Sequence, residues 1–143
     1  MGRDEPARRV CKVLVVEDDR SIQQMLEDVF DDEGYGFLCV SSAEEFRRAL
    51  AEEPELDIAI VDVILPGDRD GFALAQEAAE RGLAVVLSTG HHDYFERLER
   101  SGHHYLLKPY RIAALLDVVK MALEAARRRC LRKPDERIRP TPL

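Results

Sequence analysis

The stretch Asp57-Ile-Ala-Ile-Val-Asp-Val-Ile-Leu-Pro-Gly67 places one acid, Asp62, inside an otherwise apolar run. A continuous run of β-branched and aliphatic residues is typical of a strand that is buried on both faces of a parallel sheet. A buried carboxylate costs free energy unless it is paired. We therefore predict that residues 58–61 form a buried strand, that Asp62 emerges at its carboxyl end, and that residues 63–64 belong to the following loop.

Strand-like and helix-like segments alternate along the rest of the chain. Ser42 and Glu45 have the spacing of a capping box, which predicts a helix start. Strict alternation of strand and helix predicts an α/β fold with a parallel sheet. The predicted strands are residues 10–16, 37–40, 58–61, 83–88 and 105–107, and the predicted helices are residues 21–33, 42–53, 72–81, 93–100 and 112–131.

The length of 143 residues favours one domain, and the apolar fraction of 45% is sufficient for a hydrophobic core. We assign residues 1–9 to an N-terminal tail, residues 10–131 to the domain and residues 132–143 to a C-terminal tail. Pro134 and Pro140 predict that this second tail is disordered. The tail is too short for an output domain, so we expect a single-domain protein.

The formal net charge of −7 divides into +5 for residues 127–143 and −12 for residues 1–126. An acidic body argues against nucleic acid as the main partner. The apolar runs are strand-sized, which argues against a membrane span. The N-terminal segment Met-Gly-Arg-Asp-Glu-Pro-Ala-Arg-Arg lacks the apolar centre of a signal peptide, so we expect a cytoplasmic protein.

Residues that can carry chemistry follow the predicted strands. Carboxyl ends of parallel strands meet at one edge of the sheet, where ligands bind. Two carboxylates about 4 Å apart repel by roughly 4 kcal/mol at an effective dielectric constant of 20, so a cation such as Mg²⁺ or Mn²⁺ is expected. The alternative is that these acids lie separately in water, with Asp19 or Ser21 capping the next helix. The residues at this edge are Glu17, Asp18, Asp62, Thr89 and Lys108.

Four motifs resemble the receiver domains of two-component response regulators. They are VLVVEDD (13–19), IVDVILPG (60–67) followed by Asp70-Gly71, VVLSTG (85–90) and YLLKPY (105–110). The resemblance covers residues 10–129. It implies a (βα)5 flavodoxin-like, doubly wound, five-stranded parallel sheet with strand order 2-1-3-4-5.

The same resemblance implies a role for each matching residue. Asp62 would be the phosphoacceptor, and it would attack a phosphohistidine of a sensor histidine kinase or histidine phosphotransfer protein. Thr89 and Lys108 would contact the phosphoryl oxygens, and Tyr105 would move inward with Thr89 as a switch. The bond Lys108-Pro109 is expected to be cis. The implied ligands of Mg²⁺ or Mn²⁺ are Glu17, Asp18, Asp62 and the backbone carbonyl of Ile64.

The implied function is a signalling phosphoacceptor rather than an enzyme, although it would assist its own phosphorylation and dephosphorylation. Its face formed by helix 4, strand 5 and helix 5 would bind a downstream protein or a second copy of the chain. Ile64 and His91 would flank the path of attacking water and slow dephosphorylation. One extra residue between Pro66 and Gly71 departs from the family pattern.

Three alternatives remain open from the sequence. If the chain is a pseudo-receiver, it acts as an interaction module that is never phosphorylated. It would be one part of a larger regulator if it is a fragment. It would be a phosphatase or mutase if Asp62 were the nucleophile of another α/β family, although Ile64 stands where such enzymes place a second acid.

Overall fold

The computed structural model describes the backbone of residues 10–65 and 69–138, and the side chains of residues 10–65 and 70–129. This part of the chain contains seven strands and five α-helices, and strands alternate with helices except where β3, β4 and β5 follow one another. The strands are β1 (Lys12–Val16), β2 (Gly36–Val40), β3 (Ile58–Asp62), β4 (Ile64–Leu65), β5 (Arg69–Asp70), β6 (Ala84–Thr89) and β7 (His104–Leu107). The helices are α1 (Arg20–Asp32), α2 (Ala43–Glu52), α3 (Gly71–Glu80), α4 (Phe95–Ser101) and α5 (Ile112–Ile138), with a 3-10 turn at His92–Tyr94 before α4.

Five of the strands form one parallel sheet in the order β2-β1-β3-β6-β7. This order confirms the predicted doubly wound topology, because β4 and β5 pair only with each other in the described residues. Helices α1 and α5 pack on one face of the sheet, and α2, α3 and α4 pack on the other. The central strands are therefore covered on both sides, as the crossover connections of a parallel sheet require.

Strand β3 has apolar side chains on both faces because it lies in the centre of this sheet. Ile58 and Ile60 pack with α1 and α5, whereas Ala59 and Val61 pack with α2 and α3. These four residues are at most 3% exposed, so a polar side chain is accommodated only at the end of the strand. Asp62 occupies that end, as predicted.

Side-chain caps define the starts of three helices. Ser42 caps α2 by accepting a hydrogen bond from the Glu45 amide (3.1 Å), and Glu45 accepts one from the Ser41 amide (2.8 Å). Asp19 and Asp70 cap α1 and α3 in the same way. Each cap satisfies backbone donors that have no partner within the helix.

Ile64 and Leu65 form a short strand where the sequence predicts a loop at Ile64. Residues 63–64 were expected in a loop, but Ile64 pairs with Asp70 and Leu65 pairs with Arg69 in an antiparallel ribbon. We call β4 and β5 together the β4–β5 ribbon. Its two strands are only two residues long, which is too short for the alternation that identifies a strand in a sequence.

Helix α5 is longer than predicted. It was expected to end near Leu131, with residues 132–143 disordered, but it continues to Ile138. Pro134 predicts a stop, because proline removes a helical hydrogen bond, yet the backbone is helical through this position. The predicted boundary between residues 131 and 132 is therefore not marked by a change of backbone structure. Residues 1–9 and 139–143 lie outside the described part of the chain.

Candidate functional site

The predicted edge of the sheet brings polar side chains together where the strands end. Glu17 follows β1, Asp62 ends β3, Thr89 ends β6 and Lys108 follows β7. The parallel register places Val61 beside Val16 and Asp62 beside Ser88, so the ends of β1, β3 and β6 lie at the same level. The sheet thus fixes the backbone positions from which these side chains extend.

Lys108 joins the two most buried carboxylates of this edge. Its Nζ donates to Oδ2 of Asp62 at 2.8 Å and to Oε1 of Glu17 at 2.9 Å. The exposed fractions are 21% for Lys108, 13% for Asp62 and 5% for Glu17. Because water is largely excluded, the ammonium is the main counter-charge for both acids.

The protonation of Lys108 follows from these contacts. Burial lowers the pKa of Lys108, but its hydrogen bonds to Asp62 and Glu17 outweigh burial and hold the pKa above its ordinary value. The side chain therefore remains an ammonium at neutral pH. One ammonium and two carboxylates leave an excess of one negative charge at the edge, which favours a further cation.

Asp62 is oriented through its second oxygen and its backbone. Oδ1 of Asp62 accepts a hydrogen bond from the Ile64 amide at 3.0 Å. Gly71 packs against the same residue so closely that a Cβ there would lie 2.2 Å from the Asp62 carbonyl oxygen. The Gly71 amide also donates to the Val63 carbonyl at 3.0 Å. These contacts hold both ends of the loop that follows the acid.

Glu17 is also satisfied on both carboxylate oxygens, since Oε2 accepts a hydrogen bond from the Asp19 amide at 3.1 Å. The amide side chain of Gln23 donates to the Glu17 carbonyl, a contact that sequence reasoning missed. Gln23 has no distinctive spacing relative to Glu17 that could have identified it. The buried acid is therefore held by neighbours on the same connection from β1 to α1.

The two aspartates after Glu17 have different surroundings. Asp19 caps α1, and its hydrogen bonds with Ser21 and with the Ile22 and Ser21 amides lower its pKa. The alternative reading of Asp19 as a helix cap is thus correct. Asp18 is exposed to solvent, so its carboxylate is accessible to a ligand from outside.

Thr89 is 1% exposed, and its Oγ1 accepts a hydrogen bond from the His91 amide at 3.1 Å. Its carbonyl accepts a hydrogen bond from the Lys108 amide at 2.9 Å, which ties the end of β6 to the residue after β7. The peptide bond between Lys108 and Pro109 is cis, as predicted. Thr89 and Lys108 are therefore adjacent through their backbones.

Tyr105 and His91 lie beside this edge rather than within the Lys108 contacts. Tyr105 is half-buried and packs against the core on the face that carries α2, α3 and α4. His91 is half-exposed, with its ring 5.8 Å from the Tyr94 ring and its Nδ1 3.4 Å from Oδ2 of Asp93. Ile64 is also on the surface, with 44% of its area exposed.

The predicted metal ligands are only partly assembled. Within the described residues, no three carboxylate, imidazole or thiolate side chains are grouped so that they could hold a metal ion. The donor types nevertheless suit a hard cation, since Asp18, Asp62 and Glu17 offer only oxygen atoms. Asp18 is exposed, whereas Glu17 already has both oxygens engaged. Asp18 and Asp62 therefore fit a divalent cation better than Glu17 does.

Comparison with known proteins identifies the family. A family model described as response regulator receiver domain matches residues 13–120, most of the chain. The chain belongs to the response regulator receiver domain family. The strand order expected for a receiver agrees with the sheet.

Curated relatives agree with this assignment. The receiver is 33% identical over 126 residues to the transcriptional regulatory protein AruR of Pseudomonas aeruginosa, covering 82% of this chain and 51% of that protein. It is 37% identical over 114 residues to the response regulator protein FleR of the same species, covering 76% of this chain and 24% of FleR. The chain thus spans about half of AruR and about a quarter of FleR.

Solved structures share the fold. A CheY-like receiver domain protein from Methanospirillum hungatei superposes with a TM-score of 0.74 at 24% identity, covering 85% of this chain and 99% of that one. The signal receiver domain of a modulated diguanylate cyclase from Desulfovibrio desulfuricans gives a TM-score of 0.69 at 31% identity, covering 83% and 98%. In the described part of this receiver, none of the helices has the length and apolar character needed to cross a membrane.

The close approach at Gly71 gives a prediction about stability. Gly71→Ala should lower the free energy of unfolding by about 1–3 kcal/mol, because the new Cβ overlaps the Asp62 carbonyl and backbone must move. Urea unfolding followed by circular dichroism measures this change. Gly90→Ala is the matched control: its Cβ would meet the Lys108 side chain at 3.4 Å, so a change within about 0.5 kcal/mol is expected. Equal stability of the two variants would contradict the packing described for Gly71.

Proposed function

We propose that this receiver domain accepts a phosphoryl group on Asp62 from a sensor histidine kinase or a histidine phosphotransfer protein. The observation that carries the proposal is the contact of the Asp62 carboxylate with the Lys108 ammonium at 2.8 Å, at the carboxyl end of a rigid central strand. A nucleophile of this kind needs a fixed position and a nearby positive charge more than it needs further covalent machinery. The receiver and its phosphodonor would together form part of a cytoplasmic two-component system.

In the proposed reaction, a carboxylate oxygen of Asp62 forms a bond to phosphorus while the bond between phosphorus and the donor imidazole nitrogen breaks. The bonding electrons leave with the imidazole, which is thereby restored. Asp62 then carries a charge of about −1.5 to −2 instead of −1. Lys108 supplies the positive charge that stabilises this product, and Thr89 would turn its hydroxyl from the His91 amide towards a phosphoryl oxygen.

Mg²⁺, or Mn²⁺ in its place, would be held by Asp18, Asp62 and the backbone carbonyl of Ile64, with Glu17 nearby. When bound, such a cation neutralises charge on the oxygens of the transferred group. The excess negative charge left by Glu17 and Asp62 around Lys108 supports this proposal. The exposure of Asp18 gives the ion access from solvent.

An apolar depression of about 320 Å³ beside the site supports docking of a protein donor. Ile22 and Met25 of α1 line one side, and Pro109 and Tyr110 line the other, next to Lys108. Exposed apolar surface is one mark of a protein-interaction or ligand-binding site. A small phosphodonor would not need this surface.

The output surface would be the face formed by α4, β7 and α5. Leu107, Ile112 and Met121 are apolar residues that are 39%, 47% and 56% exposed on β7 and α5. Burial of such residues favours association with a downstream protein or with a second copy of the receiver. Phosphorylation would change this face through Thr89 and Tyr105, as in other two-state switches.

The central test is incubation of the receiver with acetyl phosphate and Mg²⁺, followed by intact mass spectrometry. One phosphoryl adduct is expected, and it should be absent in Asp62→Ala and after Mg²⁺ is removed with EDTA. Asp31→Asn, which changes an exposed acid of α1, should retain the adduct. Absence of an adduct on the parent would favour the pseudo-receiver, and repeated turnover of a phosphoester would favour an enzyme.

A second test concerns the lifetime of the phosphorylated form. We propose that Ile64 and His91 shield the acyl phosphate from water, and both side chains are large and partly exposed. Ile64→Asn with His91→Glu should speed dephosphorylation roughly tenfold, which corresponds to about 1.4 kcal/mol in activation free energy. Ile112→Asn is the control, because Ile112 is 47% exposed and lies on α5. Unchanged decay in the double variant would exclude the shielding role.

A further inference from the structure

Arg97 of α4 contacts two residues at the junction of the β4–β5 ribbon and α3. Its Nη2 donates to Oδ2 of Asp70 at 3.1 Å. Its guanidinium carbon lies 4.1 Å from the centre of the Phe72 ring. Asp70 is the last residue of the β4–β5 ribbon, and Phe72 lies in the first turn of α3. One side chain thus joins α4 to the ribbon and to α3.

The two contacts support each other. The side chains of Arg97 and Asp70 are 56% and 47% exposed, and an exposed ion pair alone is weak. Phe72 covers one face of the guanidinium, and a cation over an aromatic ring adds attraction. Asp70 is held at its other oxygen as well, because Oδ1 accepts a hydrogen bond from the Phe72 amide at 2.9 Å. The carboxylate of Asp70 is therefore restrained on both sides.

The restraint on Asp70 reaches Asp62 by two short routes. Asp70 pairs with Ile64 across the ribbon, and the Ile64 amide donates to Oδ1 of Asp62 at 3.0 Å. The next residue, Gly71, packs directly against the Asp62 carbonyl oxygen. A displacement of Asp70 would therefore move both the amide that orients the acceptor carboxylate and the backbone behind it.

We propose that Arg97 is a positioning residue for phosphorylation of Asp62, acting through Asp70 and the β4–β5 ribbon. This inference rests on the proposed function, because it concerns the reactivity of the same aspartate. Arg97 also joins α4 to the β4–β5 ribbon, so a partner that binds α4 and draws Arg97 away would change the reactivity of Asp62.

Arg97→Gln should lower the maximal rate of phosphorylation by acetyl phosphate roughly three- to tenfold, with little change in the half-saturating concentration. The maximal rate should change more than the half-saturating concentration because Arg97 orients Asp62 and does not contact the phosphodonor. Arg97→Lys should retain part of the rate, since it keeps the charge but not the planar group. The difference in maximal phosphorylation rate between Arg97→Gln and the parent should become smaller at high salt, because salt screens an exposed ion pair.

Arg47→Gln is the matched control. Arg47 of α2 forms a comparable pair with Glu77 of α3, with Nη2 2.7 Å from Oε2 and side chains that are 46% and 36% exposed. It joins α3 to α2 rather than to α4, and Glu77 lies in the second half of α3, away from Asp70. Loss of this pair should change the free energy of unfolding about as much as loss of the Arg97 pair, but leave the phosphorylation rate unchanged.

Asp70→Asn completes the test, since its amide oxygen can still cap α3 while the charge that binds Arg97 is removed. The rate losses of Arg97→Gln and Asp70→Asn should not add in the double variant. Additive losses, a parental rate in Arg97→Gln, or an equal loss in Arg47→Gln would overturn this inference alone. No phosphorylation of the parent protein would overturn the proposed function and this inference with it.

Discussion

The organisation of the site depends on one ammonium placed between two buried carboxylates. Lys108 contacts Asp62 at 2.8 Å and Glu17 at 2.9 Å, and both acids are largely removed from water. Without that charge, the ends of β1 and β3 would present two unpaired carboxylates to each other. The sheet order places β6 between β3 and β7, so the lysine must reach across the end of β6 to make these contacts. The hydrogen bond from the Lys108 amide to the Thr89 carbonyl holds its backbone in the position from which it does so.

Strand β3 provides the rigid support on which this arrangement rests. It is buried on both faces, and its last residue is the acid. Beyond Asp62, the chain is held by a second set of contacts, in which the ribbon, the α3 cap and Arg97 restrain the loop from the α4 side. Asp62 is therefore held from the sheet and from the α4 side.

Much of this arrangement could be predicted from the sequence. Asp62, Thr89 and Lys108 follow apolar runs, and parallel strands bring such positions to one edge irrespective of the side chains between them. The ribbon could not be predicted, because two-residue strands carry no periodic signal.

Arg97 was missed for a different reason. Its partners Asp70 and Phe72 are distant in the sequence and belong to other elements, and one arginine in the charged segment around α4 looks like any solvent-exposed residue. The extent of α5 was also missed, because Pro134 is a local stop signal and the helix continues through it.

The most direct measurement of the central claim is the free energy of unfolding of Lys108→Met in two backgrounds. In the parent, the substitution should cost about 1–3 kcal/mol, because the buried carboxylates of Asp62 and Glu17 lose their counter-charge. In the background Glu17→Gln with Asp62→Asn, those charges are absent and the same substitution should cost little. A large difference between the two costs is the predicted result of this double-mutant cycle. An equal cost in both backgrounds would show that Lys108 stabilises the protein by other contacts, and would contradict the account.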